Sequence, residues 1–155
     1  MAELQLSWYK FKHHYGDYIK VLVGIIVFEW LILFIQEKEF LKTFESTRMT
    51  LFLLLFASTL LILVQNSIYI SRERGILDRD FFSTLSRMKY GLATLVMNLI
   101  FALGETLIFV IGYQLLTLFF DKELPQKGYI LSSFHSEIFI TVLLVFLCAH
   151  VMAVA

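Results

Sequence analysis

The sequence predicts an all-α polytopic membrane helix bundle with about four transmembrane helices, and three observations carry that prediction. Of 155 residues, 59% are apolar and only 17% charged, whereas a soluble domain is about half apolar and about a quarter charged. Mean hydropathy is +0.77. The apolar residues gather into four runs with the charged residues between them. Each run approaches or exceeds the ~20 residues a helix needs to cross a ~30 Å hydrocarbon core. Pro occurs once, at Pro125, which excludes a Pro-rich linker and leaves a single membrane domain over residues 1–155. Cys148 is the only cysteine, so no disulfide within the chain is possible.

The first run covers 18–36, the second 49–70, the third 90–120 and the fourth 138–155. The first contains Glu29 and is followed by Gln36-Glu37-Lys38-Glu39 rather than by small residues. It therefore reads as a retained signal anchor and not as a cleaved leader. The third is long enough to require tilting or projection into the interface. The fourth reaches the last residue with no cap or charge, which predicts a chain that is part of something longer.

Two segments outside the runs are patterned. In residues 1–17, Leu4, Trp8, Phe11 and Tyr15 recur at steps of three and four, continuing to Tyr18. Such an apolar, aromatic face predicts an amphipathic helix at the membrane surface. In residues 71–89, Leu77, Phe81, Leu85 and Met88 share a helical face within an otherwise charged loop. That face needs lipid headgroups or a partner protein to cover it.

Glu29 and Glu105 stand near the middle of the first and third runs, and Asn98 precedes Glu105 by two turns. Ionisable residues at such depth face other helices or water. In the third run Gly91, Thr94, Asn98, Glu105 and Gly112 form one stripe of small and polar residues, the composition that close helix contact in lipid requires. Packing and hydrogen bonding are thus the expected roles of both carboxyls; lining a transport path is the alternative. Gln65 and Asn66 close the second run, where amides can bond neighbouring helix ends.

Other chemistry is sparse. No two of His13, His14, His135 and His150 stand at i, i+4, so no metal site is expected. There is no phosphate-binding Gly-rich loop, no dinucleotide turn and no nucleophile elbow. The chain reads as a non-enzyme with no catalytic residue and no cofactor of its own. Its few basic residues sit close to the membrane and do not indicate nucleic acid.

Residues 64–90, VQNSIYISRERGILDRDFFSTLSRMKY, carry a more specific signal. Gln65-Asn66-Ser67, Glu73-Arg74, Gly75-Ile76-Leu77, Arg79-Asp80 and Tyr90 follow one another in an order that resembles the first cytoplasmic loop of type-2 ABC exporter permeases. That branch contains the white/pigment (G-subfamily) transporters. Phe81 departs from the family's usual Arg, Thr84 from its usual Gly, and Glu105 from its usual Gln or apolar residue. The resemblance implies four spans of a six-helix permease, with residues 1–17 as its connecting helix and 71–89 as a coupling helix docked on a nucleotide-binding domain. Glu73, Arg74, Leu77, Phe81 and Leu85 would make that contact. ATP and Mg would then lie on the partner domain, and a second permease half would complete a dimer in the cell membrane. The alternative is a small four-helix integral membrane protein without an ATPase, acting as a structural, immunity or channel-like component.

Lys and Arg number eight in the N-terminal segment and the 71–89 loop against five in the other two loops, which places the N-terminus in the cytoplasm. A cysteine introduced at Asp80 in a Cys148→Ser background should therefore react with an impermeant maleimide in inverted vesicles and stay unlabelled in intact cells. Labelling from outside intact cells would reverse the orientation.

Overall fold

The structure, a computed structural model, describes residues 2–36, 44–83, 87–123 and 133–154, with side chains described at 8–9, 12, 15–36, 46–71, 88–123 and 133–153. Four helices account for nearly all of these residues: α1 (Ala2–Ile35), α2 (Phe44–Ser83), α3 (Arg87–Phe119) and α4 (Phe134–Val154). Among the described residues there is no strand. Each helix contains a stretch long and apolar enough to cross a membrane: Tyr15–Ile35, Ser46–Ser71, Met88–Phe119 and Phe134–Ala153. The protein is an all-α, multi-pass membrane protein. Helices are the form such runs must take, because hydrocarbon offers no partner for backbone N–H and C=O groups outside the segment itself.

The side-chain hydroxyls obey the same constraint. Thr50, Thr94, Thr106, Thr117 and Thr141 each donate to the carbonyl four residues earlier, at 2.6–3.0 Å. These threonines are satisfied within their own helices and tie no helix to another.

Two helices extend beyond their membrane stretches. Residues 2–17 continue without interruption into the first span, and α2 runs on through residue 83, well beyond its membrane stretch. The chain's only Pro is in neither segment. Gly16 and Gly75 weaken a helix by about 1 kcal/mol each, but only Pro removes a ladder hydrogen bond and clashes with the preceding turn. Residues 2–14 and 72–83 thus continue the helices of the first and second spans.

The helices form a ring in which α1 and α4 each pack against both α2 and α3. The chain neighbours α2 and α3 therefore sit across a diagonal. Contacts fix the directions. Tyr18 meets Phe101, and Phe34 meets Phe120 with ring centroids 6.0 Å apart, so α1 and α3 run parallel. Phe101 approaches His150 at 6.3 Å and Phe109 approaches Phe146 at 5.7 Å, so α4 runs antiparallel to α3. One end of the bundle, here the proximal face, consequently gathers the start of α1, the extension of α2 and the start of α3.

The buried stripes follow the i, i+4 ridge of a helix. On α1 they are Val21, Ile25, Glu29 and Leu33; on α2 they are Thr50, Leu54, Ser58 and Ile62. The opposite faces expose Val23, Val27, Trp30, Phe34, Phe52, Phe56 and Leu60, a surface suited to lipid and not to water.

At the distal end α3 stops in a Schellman turn. Lys122 N donates to Thr117 O at 2.8 Å and Asp121 N to Leu118 O at 3.2 Å, with Asp121 at φ 53°. Lys122 Nζ then donates to the Gln36 carbonyl, which joins the distal ends of α1 and α3. Ser133 caps α4, its hydroxyl accepting from Ser136 N at 3.4 Å.

Close approach of α1 to α3 depends on glycine. A Cβ on Gly104 would lie 2.7 Å from the Tyr18 hydroxyl, whereas one on Gly91 would meet nothing within 4 Å. Gly104→Ala is expected to cost about 1–3 kcal/mol of stability in detergent, and Gly91→Ala to cost none. In a Tyr18→Phe background the Gly104→Ala penalty should shrink, since the clashing oxygen is gone. An equal penalty in both backgrounds would mean that this contact does not set the helix spacing.

Candidate functional site

The ionisable residues inside the bundle form two groups at different depths. The first joins three helices. Asn66 Nδ2 on α2 lies 2.8 Å from His150 Nδ1 on α4, and His150 Nε2 lies 2.8 Å from Glu105 Oε2 on α3. His150 and Glu105 are 2% and 1% exposed. With the amide as donor, Nδ1 accepts, and Nε2–H donates to a Glu105 carboxylate. Each member is thereby bonded, which offsets the cost of burying polar groups.

The fourth helix reaches the same level. Tyr18 on α1 donates to the Phe101 carbonyl at 3.3 Å. The Tyr18 and Phe101 rings are 5.2 Å apart, and Phe101 in turn lies against His150. Gly104 supplies the space for the tyrosine.

The second group is nearer the distal end. Tyr113 lies eight residues beyond Glu105 on α3, about 12 Å along the axis. Glu29 of α1 fills the space beside Gly112, the residue before Tyr113, where a Cβ would collide with its carboxyl. Glu29 is 0% and Tyr113 2% exposed. Neither carboxyl oxygen of Glu29, nor the Tyr113 hydroxyl, has a hydrogen-bond partner among the described residues. The two acids, alike in sequence, thus occupy opposite situations: Glu105 is bonded, and Glu29 is buried without a bond.

The other expected residues divide as follows. Asn98 is buried with its Nδ2 unpartnered, and Gln65 is half-buried beside Asn66. Gly91, the first member of the α3 stripe, is exposed, and Thr94 bonds within its own helix. Glu73, Arg74, Leu77 and Phe81 lie on the α2 extension with their side chains outside the described residues; Leu85 lies outside them altogether. His150, Tyr18 and Tyr113 are the members that the sequence did not single out as sites. A lone imidazole within an apolar run was the available signal for His150, but its partner is 45 residues away on another helix. No protein-family model, curated protein or solved structure matches the chain.

The contrast between the acids is measurable. Glu105→Leu strands the His150 ring nitrogen and should cost about 1–3 kcal/mol of stability. Glu105→Gln keeps an acceptor and should be milder. Adding His150→Phe and Asn66→Leu to Glu105→Leu should recover much of the loss, because replacing every partner by apolar groups approaches neutrality. Glu29→Leu, which strands nothing, should leave the detergent melting temperature unchanged or raise it. Equal losses for Glu29→Leu and Glu105→Leu would contradict the distinction.

Proposed function

We propose that this chain is the membrane-spanning permease portion of an ATP-driven transporter of the type-2 ABC exporter kind, coupled to a nucleotide-binding domain through residues 71–89. The observation that carries the reading is the ordered motif Gln65-Asn66-Ser67, Glu73-Arg74, Gly75-Ile76-Leu77, Arg79-Asp80 and Tyr90. Its first four elements occupy one uninterrupted helix, α2, and Tyr90 follows on α3. Displacement of the α2 extension by a docked ATPase would be carried along the helix to Asn66. From there the hydrogen bonds to His150 and Glu105 lead into α4 and α3.

The face assignments favour the same reading. Helix directions put the N-terminal segment, the α2 extension and the start of α3 on the proximal face, and these segments carry Lys10, Lys12, Arg72, Arg74, Arg79, Arg87 and Lys89. A cytoplasmic proximal face follows from the excess of Lys and Arg. In this reading residues 1–17 act as the connecting helix. Glu73 and Arg74 hold the loop, Leu77, Phe81 and Leu85 fill a groove on the ATPase, and a second permease half completes the pore in the cell membrane. The chain performs no hydrolysis itself; ATP and Mg belong to the partner.

A second reading has one observation in its favour. Each helix packs against two others within this chain, so the ring closes without further spans. That suits a four-helix membrane protein acting without an ATPase.

Burying a Phe side chain contributes roughly 1.5–3 kcal/mol, so Phe81→Ala in the complete transporter should weaken ATPase co-purification by about tenfold and uncouple hydrolysis from transport. Phe81→Asp should be worse, because it puts an unpaired charge in the groove. Wild-type ATPase binding and transport by both variants would remove the coupling role and leave the second reading.

A further inference from the structure

A cleft of about 220 Å³ opens between α2, α3 and α4 near the distal end. Leu51 and Leu55 of α2, Phe109 and Tyr113 of α3 and Val142 of α4 form much of its wall, which is predominantly apolar. Phe109 is itself buried and packs edge-on against the Phe146 ring, 5.7 Å away, so this side of the wall is preformed. Among the described residues lining the cleft there is no Lys, Arg or His. The Thr141 hydroxyl is already given to the Glu137 carbonyl of its own helix at 2.8 Å. Tyr113 differs. Its side chain lines the cleft and is 2% exposed, and its hydroxyl has no hydrogen-bond partner among the described residues. Buried hydroxyls are almost always bonded, which makes this one a donor matched to an acceptor that arrives from outside.

We propose that this cleft binds a small neutral carbonyl compound with an apolar body, which packs on Phe109 and Val142 while Tyr113 donates to its carbonyl oxygen. An apolar wall with a polar group that fixes orientation is the usual make-up of a small-molecule site. Water is a poorer occupant, because it needs about two to four polar partners to be held in a cavity. A charged ligand would lose its hydration to an apolar wall. A ligand hydroxyl bonded to Tyr113 would leave one of the two hydrogens unbonded, whereas a carbonyl oxygen accepts and brings no hydrogen of its own. An apolar cavity of about 150 Å³ holds benzene. The cleft, at about 220 Å³, therefore suits a ring with roughly three further heavy atoms. The site stands at the end of the bundle opposite the α2 extension and does not depend on an ATPase.

The test uses the full chain in phosphatidylcholine nanodiscs, with no ATPase present, and equilibrium dialysis of acetophenone with empty nanodiscs as the lipid background. Saturable binding above that background is expected. Isopropenylbenzene, which carries a CH₂ group where acetophenone has its oxygen, should bind about fivefold more weakly once partition into lipid is subtracted. Tyr113→Phe keeps the ring and loses the donor. It should lower acetophenone affinity by about fivefold and leave isopropenylbenzene affinity unchanged. Val142→Phe fills the cleft and leaves the hydroxyl in place, so it should weaken binding of both compounds. The proposal is overturned by no saturable binding to the wild-type chain, by equal affinity for the two compounds, or by wild-type acetophenone affinity in Tyr113→Phe or Val142→Phe. Tighter binding of benzyltrimethylammonium than of acetophenone would also overturn it, by making this a cation site. Phe81→Ala should bind acetophenone as the wild-type chain does, so failure here and failure of ATPase coupling remain separate outcomes.

Discussion

The bundle depends on the contact between Glu105 and His150. In hydrocarbon an ionisable side chain has no water to fall back on, so its partner must be another part of the protein. Glu105 and His150 supply each other, and Asn66 completes the imidazole's second bond. Because the three residues come from α3, α4 and α2, this single chain of bonds fixes the relative depth of three helices. Tyr18 brings α1 to the same level through the Phe101 carbonyl. Apolar packing alone would tolerate sliding by a turn, since Leu, Val and Phe repeat along every helix; the two hydrogen bonds through His150 would not.

Glu29 shows the same physics with the opposite result. It is as buried as Glu105 and has no partner to offset its desolvation. Gly112 makes room for it, and Tyr113 stands beside it with an equally unpartnered hydroxyl. One satisfied acid and one unsatisfied acid thus stand at different depths of the interior, and only the first holds helices together through hydrogen bonds.

Helix length gives the bundle its polarity. A ~30 Å hydrocarbon core is matched by the 21 residues of α4. The 34, 40 and 33 residues of α1, α2 and α3 exceed it. Pins at the distal end, the Lys122–Gln36 contact among them, leave the excess on the proximal face. A continuous helix transmits displacement along its axis far better than a flexible loop, so the α2 extension is mechanically joined to Asn66 whatever partner it meets.

The amino-acid sequence by itself determined the class of the protein and the depth of its polar residues. Length and hydropathy require four spanning helices, because nothing but a helix satisfies the backbone in lipid. The spacing of Gly112, Glu105 and Asn98 placed them on one side of α3. Which acid meets which partner was beyond the sequence's reach. Glu29 and Glu105 look equivalent as isolated charges in apolar runs, and periodicity within one helix carries no information about the neighbour across the interface. Only the ring order, with α2 and α3 on the diagonal, brings His150 between Asn66 and Glu105 and leaves Glu29 facing Gly112. The continuity of α1 and α2 was likewise settled by the three-dimensional structure. An amphipathic pattern states which face is apolar, but whether the helix bends at the membrane surface is decided by the backbone ladder, and without proline in either segment nothing interrupts it.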